Sequence, residues 1–167
     1  LSVALLGACA TTLPQASSAT KISIAQADER VLGYFSADGT FSQIKSPNGY
    51  TRKLLGRTAD GLAVVQDFYS TNGKAQTAPF VLFDDAGLTD WDSMPYTRGE
   101  IVFYHADGKL SSRANLDGGD LKGKQTTYHI NGKIFQEERY DDQGNALSST
   151  YFDDTVKRIF SMTLDPE

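Results

Sequence analysis

The sequence predicts an all-β protein, an antiparallel meander of repeated β-hairpins in a strongly twisted or partly wrapped sheet, and three observations predict it. The first is a unit written three times between Gly99 and Asn145. An aromatic residue closes a β-prone run, a short polar step follows, then Asp, Asn or Gln with Gly, then a new β-prone run. The copies are Phe103-Tyr104-His105-Ala106-Asp107-Gly108-Lys109, Tyr128-His129-Ile130-Asn131-Gly132-Lys133 and Tyr140-Asp141-Asp142-Gln143-Gly144-Asn145. Asp-Gly and Asn-Gly between such runs signal a hairpin, because a primed turn needs positive φ at its centre. The second is punctuation: Gly39, Gly49, Gly61, Gly73, Gly87, Gly99, Gly108, Gly118, Gly132 and Gly144 recur at hairpin spacing. The third is alternation. Ile101 and Phe103 oppose Val102 and Tyr104, and Leu62, Val64 and Phe68 oppose Ala63, Val65 and Tyr69. Both sets are apolar, so both faces are expected to be covered mid-sheet.

In chain order, residues 1–8 are apolar or small, and Leu6-Gly7-Ala8-Cys9 resembles a bacterial lipobox. The resemblance implies the remnant of a signal peptide over 1–8, cleavage before Cys9 and acylation of its thiol. With Ala10 and Thr11 rather than Asp after the cysteine, it implies the outer membrane. Cys9 is the single cysteine, so no internal disulfide is available. Residues 9–21 are rich in Ala, Thr, Ser and Gln, a linker composition. The domain is expected over 22–164, opening with a short helical turn from Ile24 to Arg30. Hairpin units then come at Tyr34–Thr40 and Phe68–Lys74, with a looser one at Phe83–Gly87. After the three clear copies, Leu147 and Tyr151 alternate with Ala146 and Phe152. Thr155–Leu164 reads as a closing strand, although Thr155–Ile159 also accommodates a helical turn. Eight Tyr and nine Phe predict ring ladders between neighbouring strands.

The aromatic–x–x–Asn/Asp–Gly–Lys units resemble the second type of MORN repeat, and the resemblance covers Gly33 to Asp153. The Tyr140–Asn145 unit is also similar to the tyrosine–aspartate repeat of large secreted bacterial proteins. MORN-type repeats of this variant occur in bacterial envelope proteins and in a group of antitoxins. The resemblance therefore implies a binding protein, in its sharpest version one that neutralises a toxin or secreted effector. The alternative is a structural lipoprotein that scaffolds an outer-membrane complex.

Net charge is −5 and the pI about 5.0, which speaks against nucleic acid and against a polybasic membrane patch. One stretch breaks the rhythm: Leu88–Arg98, which holds the single Trp. Trp91 stands between Asp90 and Asp92, with Met94, Pro95 and Tyr96 following. Trp and Tyr offer a large rigid surface with a polar handle, so Asp90, Trp91, Asp92, Met94 and Tyr96 are the candidate surface for a protein partner. The plainer reading is that Trp91 caps one end of the sheet, since large aromatics are usually largely buried.

No constellation for catalysis is legible. There is no G-x-S-x-G elbow and no phosphate loop, and no cofactor is expected. His105 and His129 occupy the same place in successive units. With one strand between them their backbones would lie roughly 9.5 Å apart, and the repeat accounts for both without a metal. The acid pairs Asp84-Asp85, Asp141-Asp142 and Asp153-Asp154 sit at turns, where Asp bonds nearby backbone N–H groups. Asp117-Gly118-Gly119-Asp120 reads as a tight turn; the spaced oxygen ligands of a calcium loop are missing. The chain is thus expected to be non-catalytic.

Overall fold

The structure is a computed structural model and describes residues 21–164. The expectations placed on residues 1–8, on Cys9 and on the linker as far as residue 20 lie outside the described residues. The chain forms eleven strands: β1 Gln26–Phe35, β2 Phe41–Ser42, β3 Tyr50–Arg57, β4 Ala63–Tyr69, β5 Phe80–Leu82, β6 Thr97–Tyr104, β7 Leu110–Asp117, β8 Asp120–Tyr128, β9 Ile134–Tyr140, β10 Ala146–Phe152 and β11 Arg158–Thr163. All pair antiparallel in one open sheet, in the order β11-β10-β9-β8-β7-β6-β5-β4-β3-β1-β2. From β3 to β11 sheet neighbours are chain neighbours. At the other end β1 lies between β3 and the two-residue edge strand β2.

The predicted meander is therefore present, and the sheet does not close into a barrel. Two local expectations are corrected. The helical turn at Ile24–Arg30 is instead the start of β1, whose residues from Gln26 pair with β3 through two register shifts. A long neighbour strand supplies backbone partners that one helical turn lacks. The helical alternative at Thr155–Ile159 is also displaced: the chain turns between Asp153 and Lys157, and Arg158 already belongs to β11.

The hairpin turns hold a further correction. In the Asp107-Gly108 unit Gly108 N–H donates to His105 O (2.8 Å), and His105 N–H donates to Lys109 O (2.8 Å). The same pair of bonds recurs at His129–Lys133, Asp141–Asn145 and Ser36–Thr40. Among the described residues only Val156 has positive φ outside glycine, so Asp107 and Asn131 do not adopt the conformation that a primed two-residue turn demands. These are three-residue loops, in which Gly at positive φ closes the turn and bulges the strand. The Asp or Asn carbonyl group takes the N–H two residues on: Asp107 Oδ1 accepts from Lys109 N and Asn131 Oδ1 from Lys133 N, both at 2.9 Å. A primed turn does occur between β7 and β8, at Gly118 (φ 65°) and Gly119 (φ 93°), where Asp117 pairs directly with Asp120.

Burial is uneven across the sheet. Ala63, Val64 and Val65 are successive on β4 and fully buried, and Ile101 and Val102 on β6 are buried. Successive strand residues point to opposite faces, so both faces are covered here, as the alternation predicts. The core unites Leu54, Ala63, Val65, Phe80, Leu82, Ile101, Ala114 and Leu116 from β3 to β7. Its roof is the excursion between β5 and β6, with two short 3₁₀ turns at Asp85–Leu88 and Met94–Tyr96. Leu88, Met94 and Tyr96 pack down onto the core. Each large apolar side chain so buried contributes roughly 1.5–3 kcal/mol. Beyond β7 the roof is gone. Thr126 and Ser149 are the buried residues of β8 to β11, and every residue of β11 is exposed. What binds this half together is a file of rings, as composition predicts: His129 to Phe135 (5.0 Å), Phe135 to Tyr151 (5.7 Å) and Tyr151 to Phe160 (6.0 Å).

Candidate functional site

The excursion that breaks the hairpin rhythm is pinned by an ion pair under it. Arg52 on β3 and Asp67 on β4 are cross-strand partners on the inner face. Their side chains are 1% and 4% exposed and meet in a two-pronged contact: Arg52 Nε donates to Asp67 Oδ1 (2.8 Å) and Arg52 Nη2 to Asp67 Oδ2 (2.7 Å). The remaining Arg52 nitrogen, Nη1, donates to the carbonyls of Gly87 (2.6 Å) and Asp90 (2.8 Å) in the excursion. The guanidinium also lies over the Phe35 ring, 4.8 Å from its centre. A buried charge must be paired and hydrogen-bonded to be tolerated. Here that requirement ties the loop to the sheet.

Trp91 rests on this anchor. Its ring stacks on Tyr50 (4.3 Å, 25° between planes) and leans on Phe35 (5.1 Å). It also presses on the first hairpin turn so closely that a Cβ at Gly39 would lie 2.8 Å from the indole. The arrangement is that of a half-buried wedge holding the loop, the β1–β2 turn and β3 together. Asp90 Oδ1 takes the Asp92 N–H (3.0 Å) and so rounds the loop's corner. Tyr96 packs over Gly87 and onto the core.

Of the five residues singled out in the sequence, three meet in one place. Trp91, Asp92 and Met94 line a pocket of about 260 Å³ between the loop and the inner face of the sheet, with Asp67, Gln76 and Phe103 among its other walls. Asp90 and Tyr96 do not line it. The residues that complete the pocket went unnoticed in the sequence. A signal for the ion pair existed: Arg52 alternates with Tyr50 and Leu54, and Asp67 with Val65, so each charge falls on an apolar face. Only the β3–β4 register puts them opposite one another.

The remaining candidates are occupied by structure. Asp84 caps the first 3₁₀ turn by accepting the Ala86 N–H (2.9 Å). Its neighbour Asp85 accepts from Arg57 Nη2 (2.7 Å), and this bond holds the Asp85 carboxyl below the usual range. Asp141 accepts from the Asn145 side-chain amide and Asp153 from the Thr155 hydroxyl, each also from backbone N–H groups of its own turn, and those bonds likewise hold both carboxyls low. His129 Nε2 lies 3.1 Å from Phe152 O, and its ring meets Phe135 edge-on. Among the described residues no group of three or more His, Cys, Asp or Glu is placed to hold a metal ion.

A second feature lies at the far edge. β11 exposes Ile159 (62%), Phe160 (53%) and Met162 (41%), and Val156 just before it is exposed too. Leu164 N–H donates inward to Leu147 O, so by strand alternation the N–H groups of Ser161 and Thr163 point away from β10. No strand among the described residues meets them. The opposite edge is blunted. β1 carries Asp28, Glu29 and Arg30 where its pairing with β3 is interrupted by register shifts.

No helix among the described residues is long and apolar enough to cross a membrane. No family model and no curated protein matches the chain. Among solved structures the crystal structure of TarM aligns with 60% of this chain at 14% identity and a TM-score of 0.35, and the aligned part is 17% of that chain.

Proposed function

We propose that this chain is a non-catalytic binding protein of the bacterial envelope, tethered through Cys9 to the outer membrane, which receives an extended segment of a protein partner along the outer edge of β11. The observation that carries the reading is the bare edge itself: apolar side chains at Ile159, Phe160 and Met162 beside outward N–H groups at Ser161 and Thr163. Long flat apolar edges are normally covered or charged, because they template pairing with another chain. Adding a strand satisfies the backbone and leaves side-chain pockets to choose the sequence. The file of rings from His129 to Phe160 stops at this edge, so the partner segment should set an aromatic or branched aliphatic residue beside Phe160. The repeat resemblance makes a toxin or secreted effector the partner of choice. The lipobox-like Leu6-Gly7-Ala8-Cys9 supports the tether.

The test uses the full chain in a bacterial host, with a photocrosslinking residue at position 160 and, as control, at Ile44, which is exposed near the other edge. A partner captured from 160 and not from 44 is then purified and titrated against the wild type and Ser161→Pro. Proline removes the outward N–H of Ser161 and no backbone bond to β10; it also removes the Ser161 Oγ–Thr150 Oγ1 bond (3.0 Å), so Ser161→Ala, which loses that bond alone, is the control and should bind as the wild type. The expected result is binding weakened at least tenfold with the circular-dichroism spectrum retained. Equal capture from both positions, or unchanged affinity of the proline variant, would overturn the reading.

A further inference from the structure

We infer that the pocket beneath Trp91 is a binding site for a small organic cation, a guanidinium or primary ammonium on a short apolar stem. The argument is an inventory of what the walls still have to offer. Asp67 lines the pocket, and both of its oxygens are engaged by Arg52, which lies behind it and does not line the pocket. The pair is neutral and the Asp67 side chain is 4% exposed, so it adds no free acceptor. Asp92 is exposed at the rim; its N–H is bonded to Asp90, and among the described residues its carboxylate has neither an ion pair nor a hydrogen bond. Gln76 stands on the wall, but its unpartnered Oε1 has no exposed surface and is not offered to the cavity. Thr77 Oγ1 is already used, accepting from Asp67 N (3.0 Å). The free acceptor that the cavity offers is thus the Asp92 carboxylate, a full negative charge at its rim.

The apolar walls fit the same ligand. Trp91 and Phe103 bring rings and Met94 a thioether, with Phe80 fully buried beneath them. An aromatic face attracts a cation through its quadrupole, by about 0.5–1 kcal/mol at exposed sites and more where water is displaced. Such a pocket discriminates against anions by charge, and against neutral molecules because they lack the charge that Asp92 and the ring faces attract. A volume of about 260 Å³ limits the guest to a small molecule or a single side chain. The site stands apart from the β11 edge, which contributes no wall, so either proposal survives the failure of the other.

The chain reports on this pocket directly, because Trp91 is its single Trp and Met94 one of its two Met. The full chain is titrated with butylguanidinium while Trp91 fluorescence is followed, and with butylurea, a neutral mimic of the same shape. Labelling the methionine methyl groups gives two further signals, Met94 in the pocket and Met162 on β11 as the internal control. Butylguanidinium should give a saturable change with Kd in the millimolar range and shift Met94 but not Met162. Butylurea should bind at least tenfold more weakly, and Asp92→Asn should weaken butylguanidinium at least fivefold. Asp92 is exposed, so its replacement leaves the fold intact, as the methyl spectrum will show. Tetramethylammonium, which carries charge but no hydrogen-bond donor, should bind less tightly than butylguanidinium because it cannot donate to the Asp92 carboxylate. An acetylated, amidated Gly-Arg-Gly peptide that binds more tightly than butylguanidinium places the cation on a polypeptide; equal binding assigns a free small molecule. A linear unsaturated response, equal curves for butylguanidinium and butylurea, or an unaffected Asp92→Asn would overturn the assignment.

Discussion

At the scale of single residues, two positions show how side chain and backbone trade against one another. Trp91 contributes by contact: its ring meets Tyr50, Phe35 and the Gly39 turn at once. Trp91→Ala should cost about 2–3 kcal/mol, less than a fully enclosed Trp because one side of the ring faces the pocket. The urea midpoint by circular dichroism measures it, and Trp91→Phe should recover about half. Val156 works the other way. It holds φ at 69°, the place where the equivalent turns carry Gly108, Gly132 and Gly144. A β-branched residue there is strained by about 1–2 kcal/mol. Val156→Gly should therefore raise stability by about 1 kcal/mol, once the greater freedom of glycine in the unfolded chain is set against it. A lowered urea midpoint would show that the Val156 side chain contributes more than its exposure indicates.

At the scale of the element, the hairpin turn is also a small titrating unit. Asp38, Asp107, Asp141 and Asp153 each accept hydrogen bonds from groups in their own turns, and those bonds hold all four carboxyls below their ordinary value. A carboxyl whose folded pKa lies below its unfolded one contributes stability that is complete above the unfolded value, about 3.9, and is lost as pH falls through the folded value. The urea midpoint should thus be level above about pH 5 and fall on acidification below about pH 4. The double variant Asp38→Asn, Asp107→Asn should show a smaller fall between neutral pH and pH 3. Asn131 already fills the same place in the second copy, bonding Lys133 N at 2.9 Å, so the turn accepts the amide. An unchanged pH slope would show that the turn acids are not its source. The Leu88–Arg98 excursion is an element of another kind. Its shape comes from partners outside itself, the Arg52 guanidinium below and the Tyr50 ring beside it.

At the scale of the whole molecule, the sheet is a gradient from a two-layered half to a bare one. The roofed core spans β3 to β7, and burial falls away until β11 has none. Opening free energy follows buried apolar contacts, so amide hydrogen exchange should be slowest in β4 and β6 and faster by at least an order of magnitude toward β11. Uniform protection across all strands would contradict the gradient and mean that the rings from His129 to Phe160 bind as firmly as the core. The same gradient places the pocket at the rigid end and the pairing edge at the yielding end.

Much of this molecule was written locally. A hairpin is settled within a few residues by where rings, turn acids and glycines fall, and so the succession of strands, the turn sites and the ring file could be read along the chain from Tyr34 to Phe160. The turns' exact type was not legible, because whether Asp107 takes positive φ depends on how the flanking strands twist. The first residues of β1 carry no strand signal of their own, because Gln26 to Arg30 owe their extension to β3. The pocket was half legible: Trp91, Asp92 and Met94 stood out by composition, whereas Asp67, Gln76 and Phe103 look like ordinary strand residues. Arg52 and Asp67 lie 15 residues apart, and a shift of one residue in register would turn one charge to the opposite face. By itself, then, the sequence determined the repeating strand-and-turn order. Only tertiary packing decided which charges meet under the loop, that the loop becomes a roof, and which edge of the sheet is left unpaired, because each depends on contacts between segments distant along the chain.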